Sequence, residues 1–124
     1  MRLKRSRLRQ YYHRKKTVKK DKEGGTSEEF DPALPFCAEV WPAGGKLQCE
    51  IYGERLPYIR NVRIDGGYRI QSDARGILHY VCGDLDLVEG DGVCLYVPGD
   101  SEPDYRIIAI RAYRFLKLEV EKRR

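Results

Sequence analysis

The sequence predicts an all-β fold: a small antiparallel β-barrel with a basic N-terminal arm and long loops. Three observations carry this. Short runs of β-branched and aromatic residues recur, the clearest with a period of two. Clusters of Gly, Pro and Asp separate those runs. No stretch sustains the apolar spacing of an amphipathic helix. A chain of 124 residues makes one domain and buries about two-thirds of the surface exposed by its unfolded form. Residues 1–20 form the basic arm leading into the first strand, and residues 21–124 form the barrel.

Taken in order, Tyr11 to Lys20 alternates weakly, and Thr17 and Val18 permit a strand that runs into the turn at Gly24-Gly25. Phe36 to Trp41 and Lys46 to Tyr52 read as strands joined by the hairpin-like Pro42-Ala43-Gly44-Gly45. Gly53 to Asn61 is the one weak helical candidate, and Pro57 limits it to about a turn. Gly66 to Gly83 is open between two readings. One is a hairpin with arms Tyr68 to Gln71 and Ile77 to Val81 around Asp73-Ala74-Arg75-Gly76; the other is a projecting loop. The carboxylates of GDLDLVEGDG (83–92) superficially suggest a calcium loop, but Leu85, Leu87 and Val88 break the DxDxDG spacing. A strand with a polar face leading into a turn fits better. Gly92 to Val97 follows as a strand, closed by Pro98-Gly99. Arg106 to Ile110 is apolar beyond its first residue, as in a strand covered on both faces or bent across a barrel. Tyr113 to Val120 is the clearest segment, with Leu116, Leu118 and Val120 alternating against Phe115, Lys117 and Glu119.

Charge is distributed unevenly. Ten of the 24 Lys and Arg residues lie in the first 20 positions and none of the 19 acids does, so a +10 segment precedes a body of −5. Any attraction to nucleic acid therefore comes from one segment rather than from a uniformly basic surface. Met1 to Arg9 is expected to order only on contact with a partner, the alternative being a solvated tail.

No apolar run approaches the ~18 residues of a membrane span, and the cationic start lacks the apolar block of a signal peptide. A soluble protein of a reducing compartment is expected. The four cysteines, Cys37, Cys49, Cys82 and Cys94, are then free thiols, each read as a small buried hydrophobe in a strand. Their spacing contains no CxxC pair, so no metal is expected. The only histidines, His13 and His79, have no triad around them in sequence. Gly44-Gly45-Lys46 is followed by Leu47, not Ser or Thr, so it is not a phosphate loop. The sequence predicts no enzyme and no cofactor.

One ordered set of segments is more specific. Val40-Trp41-Pro42-Ala43-Gly44-Gly45-Lys46-Leu47-Gln48 is followed by Tyr52-Gly53-Glu54-Arg55-Leu56. Upstream stand Tyr11-Tyr12-His13-Arg14-Lys15 and Asp21-Lys22-Glu23-Gly24-Gly25; downstream stand Glu89-Gly90-Asp91-Gly92-Val93-Cys94-Leu95-Tyr96-Val97 and Pro103-Asp104-Tyr105-Arg106-Ile107-Ile108. In this order they resemble the head closure, or stopper, proteins of long-tailed bacteriophages, also described as minor capsid or head-tail joining proteins. The likeness spans nearly the whole chain and departs from the family at Gly67 to Val81, which is longer here.

The resemblance implies a virion protein made in the host cytoplasm and held at the head-tail joint. It implies a homo-oligomeric ring, commonly of twelve subunits, between the portal-side adaptor and the tail terminator or tail-completion protein. Double-stranded DNA would pass through or be held in the lumen, and no membrane is involved. Such a ring needs no base-reading code, only phosphate neutralisation by Lys and Arg. Trp41 and Tyr52 are candidate anchors of the ring interface, because aromatics are enriched at interface hot spots, with Lys46, Glu54 and Arg55 beside them; core packing is the alternative for the two rings. Arg5, Arg7, Arg9, Arg14, Lys15 and Lys16, with Arg69 and Arg75 on a loop that would narrow the channel, are candidates for contact with DNA or a neighbouring ring. The competing reading is a monomeric nucleic-acid-binding barrel of the OB or SH3 type, with Tyr11, Tyr12, Tyr52, Tyr58 and Tyr68 as stacking candidates.

Overall fold

A computed structural model describes residues 7–20 and 22–123. Six strands, β1 (Arg9–Arg14), β4 (Leu34–Pro42), β5 (Ile59–Ile64), β11 (Leu116–Lys122), β10 (Tyr105–Ala112) and β9 (Gly92–Cys94), close into an antiparallel barrel in that order. β1 pairs with both β4 and β9 and so completes the ring of strands. β2 (Lys16–Lys20) and β3 (Thr26–Phe30) form a separate hairpin, and β6 (Arg69–Ser72), β7 (Leu78–Cys82) and β8 (Leu85–Leu87) a three-stranded sheet.

The period-two pattern decides which side chains enter the barrel. Leu116, Leu118 and Val120 of β11 are fully buried, as are Val62 and Ile64 of β5 and Ala38 of β4. Arg106 to Ile110 is apolar for a specific reason. A register shift between Ile107 and Ala109 lets Ile107 and Ile110, three apart, both face inward. Tyr80, Leu85 and Leu87 of the three-stranded sheet join the same core. Gly92 permits a close approach: a Cβ there would stand 2.4 Å from Pro103 Cγ and 3.0 Å from Phe30.

Several sequence expectations are corrected. Lys46 to Tyr52 is not a strand but the α-helix α1 (Gly45–Tyr52). The alternation Leu47, Cys49, Ile51 imitates a strand, but Lys, Leu, Gln and Glu are strong helix formers, and Pro42 to Gly45 is a strand-to-helix connection rather than a hairpin. A 3₁₀ helix, Gly53–Tyr58, takes up the single turn expected around Pro57, and β5 begins directly after it. β5 and β3 escape the sequence reading because Arg60, Asn61 and Arg63 interrupt one, while the other is polar and largely exposed. Gly66 to Gly83 does contain the hairpin, with β6 and β7 as its arms.

The basic segment is not wholly an arm, since Arg9 to Arg14 is a barrel strand and Lys16 to Lys20 is half of the hairpin with β3. Residues 1–6, which include Arg5, lie outside the described residues. The cysteines are also less buried than expected: Cys37 and Cys49 are exposed, Cys82 is half-buried and only Cys94 is buried. Cys37 falls on the outward side of β4, between the buried Phe36 and Ala38, and Cys49 on the open side of α1.

Candidate functional site

Helix α1 lies against the outside of the barrel with its polarity inverted. A surface helix ordinarily buries its apolar stripe, yet the buried residues here are Gln48 and Tyr52, one helical turn apart, while Leu47 is 67% and Ile51 50% exposed. The barrel wall explains the inversion. Asn61 of β5 and Glu119 of β11 are register partners on the outward face, and each is only 2% exposed. Gln48 Nε2 donates to Asn61 Oδ1 (2.7 Å) and to Glu119 Oε2 (2.9 Å), Asn61 Nδ2 returns a bond to Gln48 Oε1 (3.2 Å), and Arg111 Nε donates to Glu119 Oε1 (2.7 Å). Gln48 Oε1 also accepts the Gly44 N–H at 3.0 Å, tying down the start of the helix.

Burial alone would raise the pKa of Glu119, but bonds from Gln48, Arg111 and Tyr52, with the charge of Arg111, outweigh it and hold the carboxyl below its ordinary range. The Tyr52 hydroxyl is pushed up to about 12 by burial and by its bond to Glu119. Because buried polar groups are costly unless paired, this network fixes which face of α1 turns inward. The face carrying Leu47, Glu50 and Ile51 is thereby presented to solvent.

The five residues expected at an interface divide. Trp41 is half-buried, with the Arg63 guanidinium 5.1 Å above its ring. Tyr52 belongs to the polar network, and Arg55 covers its ring at 5.6 Å while forming a two-pronged pair with Glu121 (2.8 and 2.9 Å). Lys46 and Glu54 are exposed on the helix and the turn after it. These residues form one neighbourhood, but Tyr52 and Arg55 serve mainly to hold the helix. Sequence reasoning missed Gln48, Asn61, Glu119 and Arg111. The outward position of Glu119 was readable from the alternation of β11; the helix that covers it was not.

The basic residues assigned to phosphate are largely occupied within the chain. Arg14 donates to the carbonyls of Phe30, Asp31 and Ser101. Lys15 pairs with Asp86 at 2.8 Å, Lys16 with Glu28 at 3.8 Å and the exposed Arg7 with Glu39 at 3.7 Å. Arg9 is exposed and donates to the Leu8 carbonyl. Arg69 and Arg75 are exposed on the β6–β7 hairpin. The stacking candidates do not converge: Tyr11 packs on Phe36, Gln10 donates to the Tyr12 hydroxyl, Tyr52 is buried and Tyr68 donates to the Tyr113 carbonyl, leaving Tyr58 exposed.

Both histidines hold the fold. His13 Nε2 meets Asp91 Oδ2 at 2.8 Å, both side chains nearly inaccessible, and Asp91 also accepts the Lys16 and Val88 amides. His79 bridges two carboxylates, Nε2 to Asp73 Oδ2 at 2.9 Å and Nδ1 to Asp86 Oδ1 at 2.8 Å. With both ring nitrogens facing acceptors, the charged imidazolium is favoured; the bond to Asp73, then that to Asp86, raises the His79 pKa. No family model matches the chain, and no curated protein or solved structure is significantly similar to it.

Proposed function

We propose that this protein is a structural connector of the bacteriophage head-to-tail joint, a head closure or stopper subunit that acts in a ring and has no catalytic step. The observation that carries the reading is helix α1. Its polar anchor and outward apolar side make the WPAGGKLQ and YGERL segments, on which the family resemblance rests, into a rigid presented surface. A small closed barrel bearing such a surface and a separate hairpin suits assembly with copies of itself and with adaptor and tail proteins. Duplex DNA would be held in the lumen by phosphate contacts alone, with the residues preceding β1 as the basic supply. The single-strand-binding alternative has less support, because its aromatic candidates are engaged in packing and hydrogen bonds instead of forming one stacking platform.

The test is genetic and structural. Inactivating the gene should yield DNA-filled heads that leak their genome and do not join tails, seen by electron microscopy of lysates. Tailed, infectious particles lacking the protein would overturn the reading.

A further inference from the structure

Helix α1 is not the only exposed apolar surface. Ile70 of β6 and Leu78 of β7 lie on one face of the hairpin, since Ile70 pairs with Tyr80 and Ser72 with Leu78. Nearer the barrel this face carries Tyr80, Leu85 and Leu87 into the core; farther out it overhangs, leaving Ile70 48%, Leu78 47% and Ile77 43% exposed. Beneath the overhang runs a groove of about 390 Å³ lined by Ile77, Leu78, Tyr80, Val88 and Glu89.

The two surfaces are unlike and complementary. On α1 the apolar pair Leu47 and Ile51 shares a face with Glu50, at the i, i+4 and i+3 positions. On the hairpin the apolar pair stands beside Arg75 in the turn, Arg69 pointing to the opposite face with Val81, while the hairpin's own acid, Asp73, is taken up by His79. The groove also carries an acid, Glu89, and α1 has a base at its beginning, Lys46. The surfaces also stand apart. α1 leads through the 3₁₀ helix into the Ile59 end of β5 and the hairpin leaves from its Ile64 end, about 17 Å away at the rise of a strand.

We infer that α1 of one copy docks on the β6–β7 hairpin of the next, Leu47 and Ile51 entering the groove, Glu50 meeting Arg75 and Lys46 meeting Glu89. This rests on the connector reading and supplies its ring contact, reassigning Arg75 from phosphate to a neighbouring copy. Because the patches differ, the contact is head-to-tail, the kind that closes into a ring when its rotation permits.

Charge reversal tests it, read by sedimentation velocity over rising protein concentration. The wild type should self-associate. Glu50→Arg, or Arg75→Glu, places like charges across the contact and should weaken association by about tenfold or more. An equimolar mixture of the two variants makes complementary contacts available again and should restore assembly in part, and both changes in one chain should restore it fully. Leu47→Asn with Ile51→Asn should weaken association by at least about tenfold. All these side chains are exposed, so unchanged circular dichroism and thermal midpoints are expected and confirm folding. A strictly monomeric wild type, association indifferent to the reversals, or variants that fail to rescue one another would overturn the inference. If the reversals behave as expected while the gene knockout still gives tailed particles, the connector reading falls and the contact stands. If the knockout phenotype holds while the reversals are silent, the contact falls alone.

Discussion

A carboxylate with 2% exposure is an expensive residue on a barrel wall, and Glu119 is tolerated only because Gln48, Arg111 and Tyr52 all address it. Glu119→Ala should therefore cost more than its lost contacts, leaving Gln48 unpaired on that side, and we expect a loss of about 2–3 kcal/mol in urea unfolding. Glu119→Leu combined with Gln48→Leu removes both partners and should recover much of that loss. The pH dependence has a definite sign. The carboxyl is depressed in the folded protein, so its stabilisation is complete above the unfolded value of about 4.3 and is lost as pH falls through the folded value. An unchanged acid limb in Glu119→Gln would show that the network contributes nothing to acid stability. Gly92 is constrained by space instead. Gly92→Ala forces a Cβ against Pro103 and Phe30 and should destabilise by about 1–3 kcal/mol; a neutral substitution would mean that the Pro103 loop yields freely.

At the scale of elements, strands whose alternation is undisturbed were legible and those with divided loyalties were not. β11 could be read directly because Leu116, Leu118 and Val120 enter the core while the polar Lys117, Glu119 and Glu121 alternate with them on the outward side. β5 could not, because its outward Ile59 and Asn61 are both buried, Asn61 beneath α1, which erases the contrast on which the pattern depends. α1 was misread for the complementary reason: its apolar residues face out and its polar one faces in. The candidate surface was thus half visible, as Trp41, Lys46 and Glu54 in a suggestive order, while the network that presents it lies in residues brought together only by folding.

The β6–β7 turn shows a further device invisible in sequence. Asp73 Oδ1 accepts the amides of Arg75 (2.8 Å) and Ile77 (3.0 Å), and His79 holds its other oxygen. Asp86, the second partner of His79, is also paired with Lys15, so Asp73, Asp86 and Lys15 are the charges around the ring. The His79 pKa is raised on folding, so this contribution is complete below the unfolded value of about 6.5 and is lost as pH rises through the folded value. Amide exchange at Arg75 and Ile77 should therefore accelerate across that range beyond its intrinsic base dependence, and His79→Gln should abolish the excess. Equal protection in both proteins at every pH would refute a latch.

Over the whole molecule, the charge split of the sequence takes on a structural meaning. Lys15, Lys16 and Lys19 pair with Asp86, Glu28 and Glu29, so part of the +10 segment is neutralised by the acidic body that it stitches together. Individually these exposed pairs are weak; Lys16–Glu28 and Lys19–Glu29 hold β2 to β3 within the hairpin, and Lys15–Asp86 ties the residue before it to β8. The N-terminal segment consequently has two functions that truncation should separate. β1 is the strand that closes the barrel, with Arg9 opposite Ala38 and Tyr12 opposite both Pro35 and Cys94, and its His13 is buried against Asp91. Removing residues 1–14 would leave β4 and β9 with unpaired edges and Asp91 without its partner, and should abolish cooperative unfolding in calorimetry. Removing residues 1–6 spares every one of these contacts while deleting Arg2, Lys4 and Arg5. That shorter truncation should melt within a few degrees of the full chain yet, on the connector function proposed above, complement a phage knockout poorly, because the charge it would offer to DNA or a neighbouring ring is gone while the barrel remains. Full complementation by the chain beginning at Arg7 would remove the basic end from the connector's working parts, and a large fall in its melting temperature would assign that end to the fold instead.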